Sequence, residues 1–474
     1  MITANESLKT LDSVPQMAGR WLSGNLAEYR MGPLGFLERV RRELGPMAGY
    51  RLGPFSSVLV SDPKVLKEIL VTRNKEFGRS FSTKMLGDFF GEGLLISEGE
   101  KWLQDRRAIQ PSFACEQIQA FGESMAQQTA DHTSDWSIGE TRDVLLDMQA
   151  LTMKIAADTL LGVRLDEEVE AIHDPHEIIR KNFERRKENL LVAPRWVPTS
   201  WNRKVSSAIH SIRKIVDNLI ATRRSTGQLG PDILSRLMSA QKNQATDMTD
   251  EHLRNQAITF LFAGHETTAS MLAWVWYLLA ENPETEERLH AELDSVLNGR
   301  LPTTADVPQL KFTEQIINET LRLYPSAYAF SRSAIADCEV AGFRIPRGTT
   351  MVMSPWVMQR DEQFFDEPLA FRPERWTPDF QKNLDQFAWF PFGVGPRICI
   401  GKSFAMMESV LIVATIASRY RLGLVPNQQI KPHASVTIRP APAVNVAVQT
   451  RNVNIGPQPG ASSSQGCPFS GTQD

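Results

Sequence analysis

The sequence has few cysteines, and none of them stands close to another. The four residues, Cys115, Cys338, Cys399 and Cys467, contain no CxxC pair. This distribution argues against a disulfide framework, a zinc cluster or an iron-sulfur cluster. At least one cysteine is therefore expected to act singly.

The sequence also lacks a strong net charge and a long apolar run near its start. Lys plus Arg number 52 against 55 Asp plus Glu, a net charge of -3, so no global field attracts nucleic acid or anionic lipid. Charged residues interrupt the first forty positions, where neither a signal peptide nor a spanning helix can be drawn. We expect a cytoplasmic protein with no transmembrane anchor, which binds a small molecule and no nucleic acid.

Repeats and internal linkers are missing as well, which predicts one large domain over residues 1–451. Residues 452–474 are rich in Gly, Pro, Ser and Gln, a composition that buries too little apolar surface to fold. We expect this C-terminal tail to be disordered.

Most of the remaining pattern is helical, with a small β-rich side. Two short strands, Ala48–Leu52 and Ser57–Val60, form a predicted hairpin. The longest helix is predicted from the N-cap signature at Thr249 to the breaker at Asn282. It is apolar nearly all round and should cross the protein interior, so the polar pair at its middle, residues 265–266, is a functional clue.

A glycine-rich segment precedes a predicted helix that begins at Lys402. Residues 392–401 read FGVGPRICIG. Glycines let a backbone approach closely, and a helix N-terminus stabilises a thiolate. An isolated cysteine in such a turn is more often a buried structural residue, but this segment resembles the haem-binding loop of the cytochrome P-450 superfamily, FxxGxRxCxG, at Phe392, Gly395, Arg397, Cys399 and Gly401. The resemblance implies heme b (iron protoporphyrin IX), with Cys399 as the thiolate ligand of its iron.

A second match lies at Glu319–Arg322, which is similar to the ExxR helix of the same family. The spacing places both side chains on one helix face. Alone it would be an ordinary surface ion pair. The resemblance implies that Arg375 completes a structural Glu-Arg-Arg network, next to Trp376, where Phe is more usual.

The third match is AGHETT at residues 263–268, similar to the oxygen-activation motif of the family. The Thr267 hydroxyl is placed to bond the carbonyl of Ala263, and Gly264 weakens the same turn, so we expect the helix to bulge there. Glu266 and Thr267 form an acid-alcohol pair suited to relaying protons, and they are the predicted catalytic residues.

Further contacts follow from the family pattern. Trp102 and Arg106, four residues apart on a predicted helix, are expected beside the haem propionates. The resemblance adds Arg332, Arg397, Phe392, Gly393, Gly401 and Ala263 as cofactor-binding residues. It also implies a mostly aliphatic substrate pocket formed by Leu95, Ile96, Ala263, Ala327, Tyr328 and Val436.

Electrons are expected from outside the chain. The 75 residues after Cys399 are too few for a reductase domain, so a separate ferredoxin or flavodoxin with an NAD(P)H reductase is implied. A basic patch of Lys101, Arg107 and Lys402 would suit an acidic donor.

The resemblance thus predicts the mainly α cytochrome P-450 fold and a haem-thiolate monooxygenase that inserts one oxygen atom from O2 into a hydrophobic molecule, fatty acid or terpenoid-like. Two alternatives remain: a peroxide-driven peroxygenase, and a non-oxygenating haem isomerase or sensor. The pair Glu266 and Thr267 counts against both.

Overall fold

The computed structural model describes residues 9–165, 168–188, 192–227, 229–242 and 248–451. The predicted disordered tail, residues 452–474, lies outside the described residues, and so does Cys467. Among the residues that are described, no helix is both long and apolar enough to cross a membrane.

Helices make up most of the described chain, as the sequence predicts. The α-helices are α1 (Leu26–Met31), α2 (Pro33–Leu44), α3 (Pro63–Lys67), α4 (Phe81–Met85), α5 (Gly87–Phe90), α6 (Gly99–Ile109), α7 (Cys115–His132), α8 (Val144–Leu161), α9 (Glu168–Glu188), α10 (Ser200–Thr226), α11 (Ile233–Lys242), α12 (Asp250–Glu281), α13 (Pro283–Leu297), α14 (Lys311–Leu323), α15 (Pro355–Met358), α16 (Pro378–Asn383) and α17 (Lys402–Ala417).

The strands are short and form small sheets. They are β1 (Met47–Leu52), β2 (Phe55–Val60), β3 (Phe77–Arg79), β4 (Thr141–Asp143), β5 (Phe330–Ala334), β6 (Cys338–Val340), β7 (Phe343–Ile345), β8 (Thr350–Met353), β9 (Tyr420–Leu424), β10 (Lys431–Ala434), β11 (Ile438–Ala441) and β12 (Asn445–Thr450). The largest sheet has the order β1-β2-β8-β5-β3, the second has the order β4-β12-β9, and β6-β7 and β10-β11 are two-stranded.

The chain forms two compact units. The first contains residues 9–88, 327–370 and 378–399, and the second contains residues 89–326, 371–377 and 400–451. In the first unit the five-stranded sheet packs on an apolar core that includes Val58, Leu66, Ile69, Met351 and Phe390. The predicted hairpin is confirmed, because β1 and β2 pair antiparallel from Met47 and Val60 to Leu52 and Phe55.

The second unit is organised around α12, the longest helix. It begins one residue after Thr249, whose side chain accepts a hydrogen bond from the backbone N–H of His252, as its N-cap signature predicts. It packs along α8 and also against α10, α14 and α17. Nearly all of its residues between Ala257 and Leu279 are buried. The predicted fold class, mainly α with a small β-rich side, is confirmed.

Candidate active site

The segment before α17 forms a tight loop in the first unit. The backbone N–H of Cys399 donates a 2.9 Å hydrogen bond to the carbonyl of Phe392, which closes the loop. Gly393 and Gly395 have φ of +72° and +74°, a conformation that favours glycine. A Cβ on Gly395 would lie 2.3 Å from the carbonyl oxygen of Leu70, so a larger residue is excluded there.

The loop fits a thiolate ligand. Cys399 is exposed, whereas a cysteine with a purely structural role is usually buried. It stands three residues before α17, which has Gly401 as its N-cap and no acidic residue in its first turn. A helix N-terminus free of carboxylates stabilises negative charge on sulfur. These features suit a metal-bound thiolate, and haem iron is the partner that this loop pattern implies.

In the second unit, the middle of α12 opens on one side. Ala263 is exposed and Gly264 and Thr267 are half-buried, although their helical neighbours are buried. The Thr267 hydroxyl donates a 2.7 Å hydrogen bond to the carbonyl of Ala263, as predicted. Because Ala263 and Gly264 are small, the side chain of Thr267 stays partly accessible on this side of an apolar helix.

The expected bulge at this turn is not present, because residues Asp250–Glu281 are helical throughout. The packing of α12 on α8 gives the physical reason. A Cβ on Gly264 would lie 3.2 Å from Cδ1 of Leu160, and the Thr152 hydroxyl donates to the carbonyl of His265 at 3.1 Å. Leu160 therefore packs close to Gly264, and the hydrogen bond from Thr152 holds the next residue, so α8 braces the turn that Gly264 would otherwise loosen.

Glu266 has partners that sequence reasoning missed. Its Oε2 lies 3.1 Å from Nε2 of His176 on α9, and its Oε1 accepts a 3.0 Å hydrogen bond from the hydroxyl of Thr437. All three side chains are buried. Thr437 and His176 are far from Glu266 in the chain, so no local motif could have indicated them.

The charge on Glu266 follows from these contacts. Burial raises the pKa of the carboxyl, but the hydrogen bond and charge of His176 outweigh burial and lower the pKa to about 2. Its neighbour His265 is 1 % exposed; burial, reinforced by the nearby His176, lowers the pKa of this imidazole to about 3. At neutral pH the middle of α12 therefore carries an anionic glutamate beside a neutral histidine.

The ExxR pair is fully buried and has more partners than the motif alone indicates. The Arg322 guanidinium binds both carboxylate oxygens of Glu319, at 2.9 and 2.8 Å. Nε of Arg375 donates to Oε1 of the same carboxylate at 3.0 Å. The backbone N–H of Arg372 and the indole of Trp376 add two further donors, each at 2.9 Å. The predicted three-residue network is thus brought together, and Trp376 joins it.

The remaining cofactor candidates lie on regular elements. Trp102 and Arg106 are on α6, with the guanidinium carbon 5.8 Å from the indole centroid, and both are half-buried. Arg332 lies in β5, and Arg397 ends the 3-10 turn Gly395–Arg397. Phe392, Gly393, Arg332, Arg397 and Cys399 belong to the first unit, and Trp102, Arg106, Ala263 and Gly401 to the second.

The substrate-pocket candidates also fall in both units. In the second unit, residues 91–97 lie against α12. The backbone N–H of Leu94 donates to Oε1 of Gln256 at 3.0 Å, and this contact places half-buried Leu95 and Ile96 beside the helix. Half-buried Val436 is in the β10–β11 turn, one residue before Thr437.

In the first unit the two candidates differ. Ala327 is half-buried, whereas Tyr328 is only 7 % exposed. The Tyr328 hydroxyl lies 3.4 Å from that of Tyr29, and burial raises its pKa above the usual value. The Tyr328 phenol is therefore neutral at neutral pH.

Comparison with known proteins agrees with this geometry. The family model described as Cytochrome P450 matches residues 14–445. Cyclooctat-9-en-7-ol 5-monooxygenase of Streptomyces melanosporofaciens is 37% identical, over 83% of this chain and 86% of that protein. Cyclooctatin synthase of the same organism is 33% identical, over 89% and 92%, and pentalenene oxygenase of Streptomyces avermitilis is 31% identical, over 88% and 92%.

The glycine-rich cysteine loop, the Glu319 network and the open turn of α12 fit the pattern of a haem-thiolate enzyme. The chain belongs to the cytochrome P450 family. It is an oxidoreductase of the monooxygenase type, whose family cofactor is haem iron.

Proposed function

We propose that this enzyme inserts one oxygen atom from O2 into a cyclic terpenoid. Cyclooctat-9-en-7-ol and pentalenene, after which two of the relatives are named, are terpenoids. This support favours the terpenoid class over the fatty acids that the sequence left open. The candidate pocket residues on α12 and the adjoining segments, Ala263, Leu95, Ile96 and Val436, are aliphatic, and such a lining binds a hydrocarbon skeleton by burial of apolar surface.

The residues proposed to hold heme b are Cys399, whose thiolate would bind the iron, and Trp102, Arg106, Arg332 and Arg397, which would be partners of the two propionates. When bound, the haem supplies oxygen activation, which thiolate ligation favours. The loop is shaped by Phe392, Gly393 and Gly401. The side chain of Ala263 is only a methyl group, which takes up less space on α12 than a larger side chain would. Electrons are proposed to come from a separate ferredoxin or flavodoxin with its NAD(P)H reductase, in the cytoplasm.

The observation that carries the proposal is the exposed turn of α12, where Thr267 and Ala263 interrupt a buried apolar helix. The Thr267 hydroxyl already donates to Ala263, so its oxygen lone pairs are available to accept a further hydrogen bond. We propose that this hydroxyl holds a water molecule near the site of oxygen activation and passes protons to that site. Glu266 is the charged group of the same proton route.

The test is a panel of spectral titrations of the haem protein with cyclic terpenoids and with fatty acids of matched carbon number. Each ligand that shifts the haem spectrum is then incubated with NADPH, a ferredoxin and its reductase. Oxygenated product from terpenoids, with fatty acids unbound, is the expected result. Turnover of fatty acids alone would refute the substrate class, and turnover with hydrogen peroxide but not with the reductase would refute the electron source.

A further inference from the structure

The carboxylate of Glu266 is held from two sides by elements that are remote in sequence. Nε2 of His176 approaches from α9 and lies 3.1 Å from Oε2. The Thr437 hydroxyl approaches from the β10–β11 turn and lies 3.0 Å from Oε1. His176 is 5 % exposed and Glu266 is 8 % exposed, so water competes little with either bond. Both carboxylate oxygens of Glu266 are therefore held by hydrogen-bond donors, one from His176 and one from Thr437.

The imidazole of His176 is itself fixed by rings of α12. It stacks on Phe262 with centroids 4.7 Å apart and an interplanar angle of 20°. Its other neighbour is His265, an edge-to-face contact at 5.5 Å. Such ring contacts restrict the orientation of the imidazole. The ring is therefore pre-oriented, with Nε2 directed at the carboxylate.

The other charged groups near this pair largely neutralise one another. On α9, Arg180 binds Glu177 at 2.6 Å and Glu184 at 2.5 Å. From the β10–β11 hairpin, Arg439 lies 3.9 Å from each of these two glutamates, and His433 lies 3.2 Å from Glu184. The arginines thus have their own carboxylates, and His176 is the residue that directly bonds Oε2 of Glu266.

Glu266 and Thr267 are neighbours in sequence but have different partners. Thr267 bonds within α12, to the carbonyl of Ala263, whereas Glu266 bonds to His176 of α9 and to Thr437 of the β10–β11 turn. Successive helical side chains diverge around the axis. The carboxylate is therefore kept on the α9 side of the helix, and its position depends on what α9 presents at residue 176.

We propose that His176 is a positioning residue, which holds the Glu266 carboxylate in its orientation between α9 and Thr437 for its part in oxygen activation. This inference rests on the proposed role of Glu266 and adds the residue through which that role is set. His176 itself touches neither substrate nor cofactor in this assignment.

Two substitutions separate the hydrogen bond from the ring. His176→Phe keeps a ring to stack on Phe262 but removes the donor. His176→Gln keeps an N–H at about the reach of Nε2 and removes the ring. His132→Phe is a matched control, since His132 is a largely buried histidine 3.9 Å from the carboxylate of Asp147 in the same unit.

Product formed per NADPH is the first measurement. His176→Phe is expected to lower this ratio by about tenfold, less than the 10²-fold or more that loss of a general acid itself costs. His176→Gln is expected to restore most of the ratio, and His132→Phe to leave it unchanged. In a Glu266→Gln background, His176→Phe should have no further effect, because the two residues act as one unit.

The second measurement does not depend on turnover. In infrared difference spectra at neutral pH, His176→Phe should show a new C=O band of a protonated carboxyl, because the pKa of Glu266 rises without its donor. The band should be absent from His176→Gln and from the double variant with Glu266→Gln.

Three results would contradict either the positioning role of His176 or the proposed role of Glu266. If Glu266→Gln lowers the coupling ratio but His176→Phe matches the wild type and shows no new band, the positioning role is wrong. If Glu266→Gln itself has no effect on coupling, the proposed role of Glu266 is wrong. If His176→Phe loses haem or substrate binding and His176→Gln does too, His176 has a structural role and the proposal fails.

Discussion

The indole Nε1 of Trp376 donates a 2.9 Å hydrogen bond to Oε2 of the fully buried Glu319. At this position the family pattern more usually has Phe, which has no such donor. The carboxylate already accepts hydrogen bonds from Arg322 and Arg375, and a buried carboxylate gains from each additional donor. Trp376 therefore belongs to the network and is more than an apolar cover for it.

Trp376→Phe is expected to destabilise the protein by about 1.5 to 3 kcal/mol more than a Trp→Phe change without a lost bond, since hydrogen bonds to charged groups contribute about that much. Trp276→Phe is the control, because Trp276 is 1 % exposed and its Nε1 has no partner among the described residues. The free energy of unfolding is measured for both variants with haem bound. Equal losses would show that the indole N–H contributes nothing.

Glu319→Ala and Arg322→Ala are expected to give protein that accumulates poorly or lacks haem. Each change leaves a buried charge without its partner, at a cost of about 3 to 5 kcal/mol, and both side chains are 0 % exposed. The ratio of haem absorbance to protein absorbance measures the effect. Normal haem content in both variants would contradict a structural role for the network.

Cys399→Ala is expected to abolish the strongly red-shifted Soret band of the ferrous carbon monoxide complex, because thiolate ligation is its cause. Cys338→Ala is the control among the other cysteines. It lies in β6, and burial raises the pKa of its thiol above the usual value, which makes it a poor iron ligand. Retention of the band in Cys399→Ala would mean that another residue binds the iron.

Thr267→Ala is expected to leave haem and substrate binding intact and to uncouple NADPH consumption from product, with electrons lost to hydrogen peroxide or water. Thr259→Ala is the matched control, because Thr259 makes the same 2.7 Å bond to the carbonyl four residues back on α12 but is buried. We expect the control to lower stability only. If Thr267→Ala also changes stability alone, its hydroxyl is structural.

His265→Phe is expected to make stability less sensitive to acid between about pH 6.5 and pH 4.5. Burial, reinforced by His176, lowers the pKa of folded His265 to about 3, while the unfolded residue titrates near 6.5. The unfolded state therefore takes up an extra proton as the pH falls through this window, and stability is lost.

Glutamates with lowered pKa, such as Glu266, lose their contribution only below about pH 4.5, as the pH falls toward their folded value of about 2. The free energies of unfolding of the wild type and His265→Phe are compared at several pH values. Parallel curves across the window would show that His265 does not cause the acid sensitivity.

The residues of the local motifs were predictable because their geometry lies within a few positions of the chain. The spacing of Glu319 and Arg322 places both on one face of α14, and the hydroxyl of Thr267 reaches Ala263 within one helical turn. The ends of α12 were likewise set by Thr249 and Asn282, which cap and terminate the apolar run.

Contacts across long sequence distances were not predictable. His176 meets Glu266 only because α9 packs over α12 in the folded chain, and a histidine in an amphipathic helix gives no sign of its partner. The sheet β4-β12-β9 is a similar case. Its first strand, Thr141–Asp143, has only three residues and pairs with Asn445–Ala447, which lie far away in the sequence, and α8 begins directly after it at Val144.

Ser326 forms hydrogen bonds to two other segments, α12 at its open turn and the start of β11. Its hydroxyl donates to the carbonyl of Thr267 at 2.8 Å, and its own carbonyl accepts from the backbone N–H of Ile438 at 3.0 Å. The hydrogen bond of the Ile438 amide therefore depends on the position of Ser326, which is bonded to this turn. Its rate of deuterium uptake should change with the anchoring of Thr267. Mass spectrometry of a peptide from the start of β11 would therefore follow the middle of α12 without any substitution in that helix.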